Sequence, residues 1–175
     1  MQLATSVSGP KTLLLVWHSR TGAARQMTEA AIDGARQVAD ELDARDALHI
    51  VAKKAEDADV DDILAADGYL FCAPENLASL SGAMKEFFDR IYYGALDQVN
   101  GRPYAIMISA GSDGSAAARQ TERICTGWRL RQIAPPLIVN TSAQTPEAIW
   151  APKTITEADQ AACRTLGGTL AALLL

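Results

Sequence analysis

The chain alternates between short apolar runs and longer segments whose apolar residues return every three or four positions. The runs are Leu13 to Trp17, Leu48 to Val51, Tyr69 to Ala73, Tyr104 to Ile108 and Leu137 to Val139. Between them, Met27, Ala30, Ala31, Gly34, Ala35, Val38 and Leu42 mark a long helix from Ala23 to Leu42. An acidic stretch, Glu56 to Asp62, leads into a short helix around Ile63 and Leu64. A third helix is expected to start near Ser81, capped by that serine, with Met84, Phe87, Phe88, Ile91 and Tyr92 as its buried stripe. Ala116 to Ile133 reads as a fourth, and Thr154-Ile155-Thr156-Glu157 matches a capping box opening a last helix towards Leu174. Pro74, which has no N–H to donate, is expected to stop the third strand. Strands apolar on both faces and separated by helices belong in a parallel sheet covered on two sides. The expected architecture is therefore a three-layer α/β/α sandwich with a five-stranded parallel sheet in the order 2-1-3-4-5.

At 175 residues the expectation is a single domain over 11–175, preceded by a loose leader over 1–10 that lacks the basic start and apolar core of a signal peptide. Apolar residues make up 49% and charged residues 21%, ordinary for a globular protein, and no run has the length of a membrane span. Cys72, Cys125 and Cys163 are scattered without ligand spacing, as expected of free thiols in a reducing, cytoplasmic setting. A net charge of −5 argues against nucleic acid as the partner.

In such a sheet a ligand sits beyond the carboxyl ends of the strands, so function belongs in the loops after the first, third and fourth strands. The first follows Trp17 as His18-Ser19-Arg20-Thr21-Gly22-Ala23-Ala24 and runs into a helix. Two hydroxyls and the unpartnered first N–H groups of a helix, aimed at one point, form a cradle for an oxyanion such as phosphate. Competing phosphate sites lack their residues. No Gly-Lys pair supports a P-loop, no G-x-G-x-x-G follows the first strand, and His18-Ser19 and Ala73-Pro74 stand where a phosphoacceptor receiver places acids. No His, Cys and Asp grouping supports a metal.

The S-x-T-G turn at Ser19 to Gly22 combines with Pro74-Glu75-Asn76, Ser81-Gly82-Ala83-Met84-Lys85, Phe88-Asp89-Arg90 and the Gly-rich turn Ser109 to Gly114. Together, over roughly Thr12 to Val139, they resemble the flavodoxin-like superfamily, and within it the NAD(P)H-dependent FMN reductases and quinone reductases. The resemblance implies the flavodoxin-like strand order and FMN as cofactor. It implies that Ser19 and Thr21 bond the FMN phosphate through their hydroxyls, while the N–H groups of Arg20, Gly22, Ala23 and Ala24 close the cradle. Pro74, Glu75, Asn76, Leu77 and Ala78 would lie along the flavin ring edge. Ser109, Ala110, Gly111, Ser112, Asp113 and Gly114 would wrap its pyrimidine end. One departure stands out: the family pattern S/T-x-T-G-x-T ends here in Ala24, which removes a hydroxyl that Arg20 or Arg25 would have to replace as a cation.

Electron-carrier flavodoxins stack aromatic residues on the ring, whereas this chain places Leu77 after its third strand and no aromatic residue between Ser109 and Ser115. An open ring face favours a reductase: NAD(P)H as transient co-substrate, a small acceptor such as a quinone, and no catalytic nucleophile. Two alternatives stay open, an electron-transfer flavodoxin and a flavodoxin-fold interaction protein without flavin. Tyr92 and Tyr93, read as exposed aromatics, suggest a homodimer, with closure of the core as the alternative. Plainer roles exist for several residues: a helix cap for the first turn, packing for His18 and Cys72, a turn position for Asp113, solvation for Glu75, and a salt-bridged outer face for Lys85, Glu86, Asp89 and Arg90. The segment Thr141 to Lys153 is open between a lid, a dimer arm and a connection.

Overall fold

A computed structural model describes residues 9–175, so most of the expected 1–10 leader lies outside the described residues. Four parallel strands, β1 (Lys11–Trp17), β2 (Leu48–Lys54), β3 (Gly68–Asn76) and β5 (Pro103–Ala110), lie in the order β2-β1-β3-β5. The fifth place is shared by two short pieces on the same edge. β6 (Arg131–Gln132) pairs with the start of β5 and β7 (Leu137–Asn140) with its end. Pro135 and Pro136 lie between them and have no N–H for a ladder, which explains the split. With that edge counted once, the expected 2-1-3-4-5 order holds.

Side chains alternate across the sheet. Leu14 and Val16 of β1 enter a core with α2 (Val60–Ala65), α3 (Gly82–Ala95) and α4 (Ser115–Gly127). Leu13 and Leu15 enter the opposite core with α1 (Ala23–Glu41) and α6 (Glu157–Leu174). Here α1 and α6 approach until backbone meets backbone: a Cβ on Gly34 would overlap the Arg164 carbonyl oxygen, and one on Gly167 that of Ala31. Only glycine fits at such a crossing. Among the described residues no helix is long and apolar enough to cross a membrane.

Four local expectations need correction. Pro74 does not end β3. It occupies the last register opposite Ser109 of β5, and the strand then finds a new partner, β4 (Ser79–Leu80), in an antiparallel hairpin. Ser81 does not cap α3, because its hydroxyl shares a hydrogen bond with His18 Nδ1 instead, at 2.9 Å. α4 ends at Gly127 rather than at Ile133. Arg129 turns left-handed (φ 55°), and the Arg129 and Leu130 N–H groups bond back to the Thr126 and Cys125 carbonyls, a Schellman ending. The box opening α6 is formed by Thr156 and Asp159, two residues later than the Thr154/Glu157 pairing. A further short helix, α5 (Pro146–Trp150), is started by Thr145 within the segment left open above.

Candidate functional site

β1 delivers the chain to the carboxyl edge of the sheet, where it must reverse into α1. Gly22 makes this turn with φ 102°, a value a side chain resists, and its N–H donates to Ser19 Oγ at 3.1 Å. The first helical bond runs from the Gln26 N–H to the Gly22 carbonyl, at 3.1 Å. No side chain caps α1, and the N–H groups of Ala23, Ala24 and Arg25 hold no partner among the described residues. Ala23 and Ala24 are themselves buried, at 3% and 1% exposure. Unpaired N–H groups at a helix start beside a cavity favour a negative group there. Thr21 lines the adjoining cavity, whereas Ser19 does not and uses its oxygen as a local turn acceptor.

At Ala24 the hydroxyl that the family pattern would supply is absent, and its carbonyl accepts from Thr28 Oγ1 (2.9 Å) and the Cys72 thiol (3.4 Å). Burial pushes the Cys72 thiol up to about 12, which makes it an inert packing group. Arg25 is engaged by Glu29 at 3.0 Å. Arg20 makes no ion pair among the described residues, and its guanidinium lies 5.0 Å from the centre of the Trp150 ring.

The second loop is the tip of the β3–β4 hairpin. Leu77 and Ala78 are its two turn residues, both left-handed (φ 51° and 56°), where Asn-Gly is the relaxed choice. Two such non-glycine residues cost about 1–2 kcal/mol each, and the Leu77 side chain points wholly into solvent at the cavity rim. Glu75 is half-buried on the cavity wall, and its carboxylate is engaged within the protein. Its carboxylate accepts from the Gly114 and Ala117 N–H groups, both at 3.0 Å, and so fills the start of α4 from the neighbouring loop. Gln120 strengthens the same join by accepting from the Leu80 N–H at 2.8 Å.

In the third loop Ser109, Ala110, Gly111 and Ser112 line the cavity, while Asp113 accepts from the Ser115 N–H and hydroxyl and Gly114 starts α4. Thr141 ties the next segment down by donating its N–H and hydroxyl to the Ala110 carbonyl. Further along, the Lys153 N–H donates to the Thr21 carbonyl at 2.8 Å. The 141–153 segment is therefore a fixed wall joining the third loop to the first.

These walls enclose a cavity of about 710 Å³, within the roughly 300–1,000 Å³ usual for small-ligand sites. Of the residues expected to contact a cofactor, Arg20, Thr21, Ala23, Pro74, Glu75, Asn76, Leu77, Ala78, Ser109, Ala110, Gly111 and Ser112 line it. Ser19, Gly22, Ala24, Asp113 and Gly114 do not line it. Sequence reasoning missed Leu80, Gly82, Thr141, Ala143, Ile149, Trp150 and Lys153. The pair Ile149-Trp150 after a proline-started turn was the available sign of a structured wall. His18 is half-buried beside Ser81, and burial holds its pKa below the usual 6.5. Among the described residues no cluster of His, Cys, Asp and Glu is built to hold a metal.

Residues 18–144, which carry all three loops, match the family of NADPH-dependent FMN reductases. The chain belongs to that family. Among curated relatives, a flavodoxin of Aquifex aeolicus (strain VF5) is 28% identical over 102 residues, 58% of this chain and 51% of that protein. The chain thus spans about half the length of the curated relative it matches. Two solved structures share the fold. An oxidoreductase from Corynebacterium diphtheriae superposes with a TM-score of 0.70 at 20% identity, covering 95% of this chain and 98% of that one. A flavodoxin from the domain Archaea gives 0.69 at 16%, covering 93% and 98%. The chain is thus a flavodoxin-like member of the FMN reductase family, and its residues fit FMN. The bare start of α1 suits a phosphate, and the cavity beside it is bounded by backbone, hydroxyl and small apolar groups that a flavin requires.

Proposed function

We propose that this protein is an NAD(P)H-dependent FMN oxidoreductase that passes electrons to a small acceptor such as a quinone. The observation that carries the reading is the buried, uncapped start of α1 opening on the cavity. FMN held there would supply two-electron redox chemistry between a reduced nicotinamide and the acceptor.

The chain's own work is to bind, orient and exclude. The Ala23, Ala24 and Arg25 N–H groups and the Thr21 hydroxyl hold the phosphate at one end, with the Ser19 turn fixing their direction. At the other end the Pro74–Ala78 hairpin and the Ser109–Ser112 loop offer backbone groups to the ring edge. Glu75 keeps these two loops in register by bridging from one to the start of the helix after the other. Neither loop places an aromatic ring over the cavity, so a face is left for a second planar molecule.

The test is the visible spectrum of protein incubated with FMN and freed of excess. A bound flavin that bleaches with NADH or NADPH supports the reading, and a bound flavin indifferent to both overturns it. The relationship to the Aquifex flavodoxin favours a second reading, a carrier that exchanges single electrons with a protein partner. Two separated one-electron steps in a reductive titration would favour that role. The homodimer belongs to the same proposal: exposed Tyr93 stands edge-on to Tyr92 on α3, and Tyr93→Glu should lower the sedimenting mass.

A further inference from the structure

α5 buries none of its own residues, yet it is pinned to the site from several directions. Lys153 Nζ donates to the Ala148, Ile149 and Ala151 carbonyls at 2.6, 3.0 and 2.6 Å, closing the end of the helix. The Lys153 carbonyl accepts from Gln26 Nε2 of α1 at 2.6 Å, and Gln26 Oε1 accepts from the Ile155 N–H at 3.1 Å. None of these contacts places an α5 side chain in the core. What the pinning presents is Trp150, an indole 63% exposed on the cavity wall, with the Arg20 guanidinium held over its ring.

An arginine lying on an aromatic face keeps its N–H edge free for an anion. Here that edge has no acid to bond among the described residues, while the adjacent Arg25 and Lys153 are already engaged. A partly open indole beside a free guanidinium, both next to the cofactor's phosphate end, offers a base a stacking face and a phosphate a fork of donors. These are the two halves of a nucleotide. Arg20 lies within residues 18–144, the stretch matching the family, and Trp150 lies beyond it.

We infer that Arg20 and Trp150 form a subsite for an adenylate group, the base on the indole and a phosphate on the guanidinium. The inference rests on the proposed use of a reduced nicotinamide dinucleotide, whose adenylate half must extend away from the reacting ring. The same chemistry would also suit the adenylate half of FAD, were that flavin taken in place of FMN.

The experiment titrates FMN-loaded protein with 5′-ADP and 2′,5′-ADP, following tryptophan fluorescence and calorimetry. Saturable binding is expected, weakened roughly tenfold or more in Trp150→Ala and largely restored in Trp150→Phe. Arg20→Ala should narrow the difference between the two nucleotides, because the 2′-phosphate is what a free guanidinium reads. In turnover, Trp150→Ala should raise KM for the dinucleotide by a larger factor than it lowers kcat. If ADP fails to bind FMN-loaded protein but apoprotein takes FAD more tightly than FMN in a Trp150-dependent way, the adenylate belongs to the flavin. Trp150-dependent ADP binding in protein whose flavin ignores NADH and NADPH would uphold the subsite while refuting the proposed reductase. Nucleotide binding indifferent to Trp150, or none from either source, overturns the inference.

Discussion

Removing the Glu75 carboxylate should destabilise the protein and loosen the cofactor site together. Its two oxygens take the Gly114 and Ala117 N–H groups at 3.0 Å each, so Glu75→Ala strips two charge-assisted bonds and the negative charge from the start of α4. Each such bond contributes about 1.5–3 kcal/mol, and the charge at a helix start roughly 0.3–1 kcal/mol more. Glu75 is only partly buried, so water recovers part of the loss, and a net cost of about 3 kcal/mol is expected for Glu75→Ala. Glu75→Gln, which keeps one acceptor oxygen without its charge, should cost about half as much. For a chain of this length 3 kcal/mol lowers Tm by about 6–12 °C. Urea unfolding of the apoprotein measures the stability, and FMN titration the site, where the dissociation constant should rise because hairpin and third loop lose their tie. A Glu75→Ala protein within about 0.5 kcal/mol of wild type, with unchanged FMN affinity, would show that the bridge holds nothing in place.

Thr21→Ala should weaken FMN by about 1–2 kcal/mol while leaving riboflavin, which lacks the phosphate, unchanged; equal losses for both in a flavin titration would place the phosphate elsewhere. Replacing Leu77-Ala78 by Asn-Gly relieves two left-handed side chains and should stabilise the apoprotein by about 1–2 kcal/mol in urea unfolding. His18 has its folded pKa lowered, chiefly by burial and also by Arg20, with Glu56 opposing. Between that value and the unfolded 6.5 the unfolded chain binds more protons, so stability should rise with pH through this window and level off above it. His18→Gln should flatten that part of the profile, and an unaltered profile would remove His18 from the account. Gly167→Ala should cost about 1–3 kcal/mol, because its methyl must displace the Ala31 backbone.

The layers and strand order were legible because apolar period carries them: Leu13 to Val16 read as buried on both faces, and they are. Local punctuation misled where a residue's habitual partner was replaced by a distant one. Ser81 has a cap's chemistry but spends its hydroxyl on His18, 63 residues earlier. Pro74 has a strand-breaker's chemistry but falls at the last register with β5, where its missing N–H interrupts little. The three loops that border the cavity were visible as turns at one sheet edge. The bridge from Glu75 to α4 and the placement of Trp150 beside Arg20 were not, since both depend on how loops far apart in sequence meet.

The helix starts sort into two kinds, and the division follows the cavity. α2, α5 and α6 receive side-chain caps from Asp59, Thr145 and Thr156, and α4 receives Glu75 from another loop. α1 and α3 receive none, although Ser19 and Ser81 stand close enough in sequence to serve. Both uncapped starts reach the cavity, α1 through Thr21 and Ala23 and α3 through Gly82. A missing cap costs about 1 kcal/mol, which a ligand returns when its polar atoms meet those N–H groups. If FMN meets both starts, binding and folding are coupled at two points, and stability should climb with free FMN as RT ln(1 + [L]/Kd). Threonine at position 24, the family's missing hydroxyl, tests the α1 point directly. If α1 is held open for phosphate, Ala24→Thr should tighten FMN and steepen that climb. If the Thr28 and Cys72 bonds to the Ala24 carbonyl instead make the buried methyl indispensable, the substitution should weaken both flavin binding and the fold.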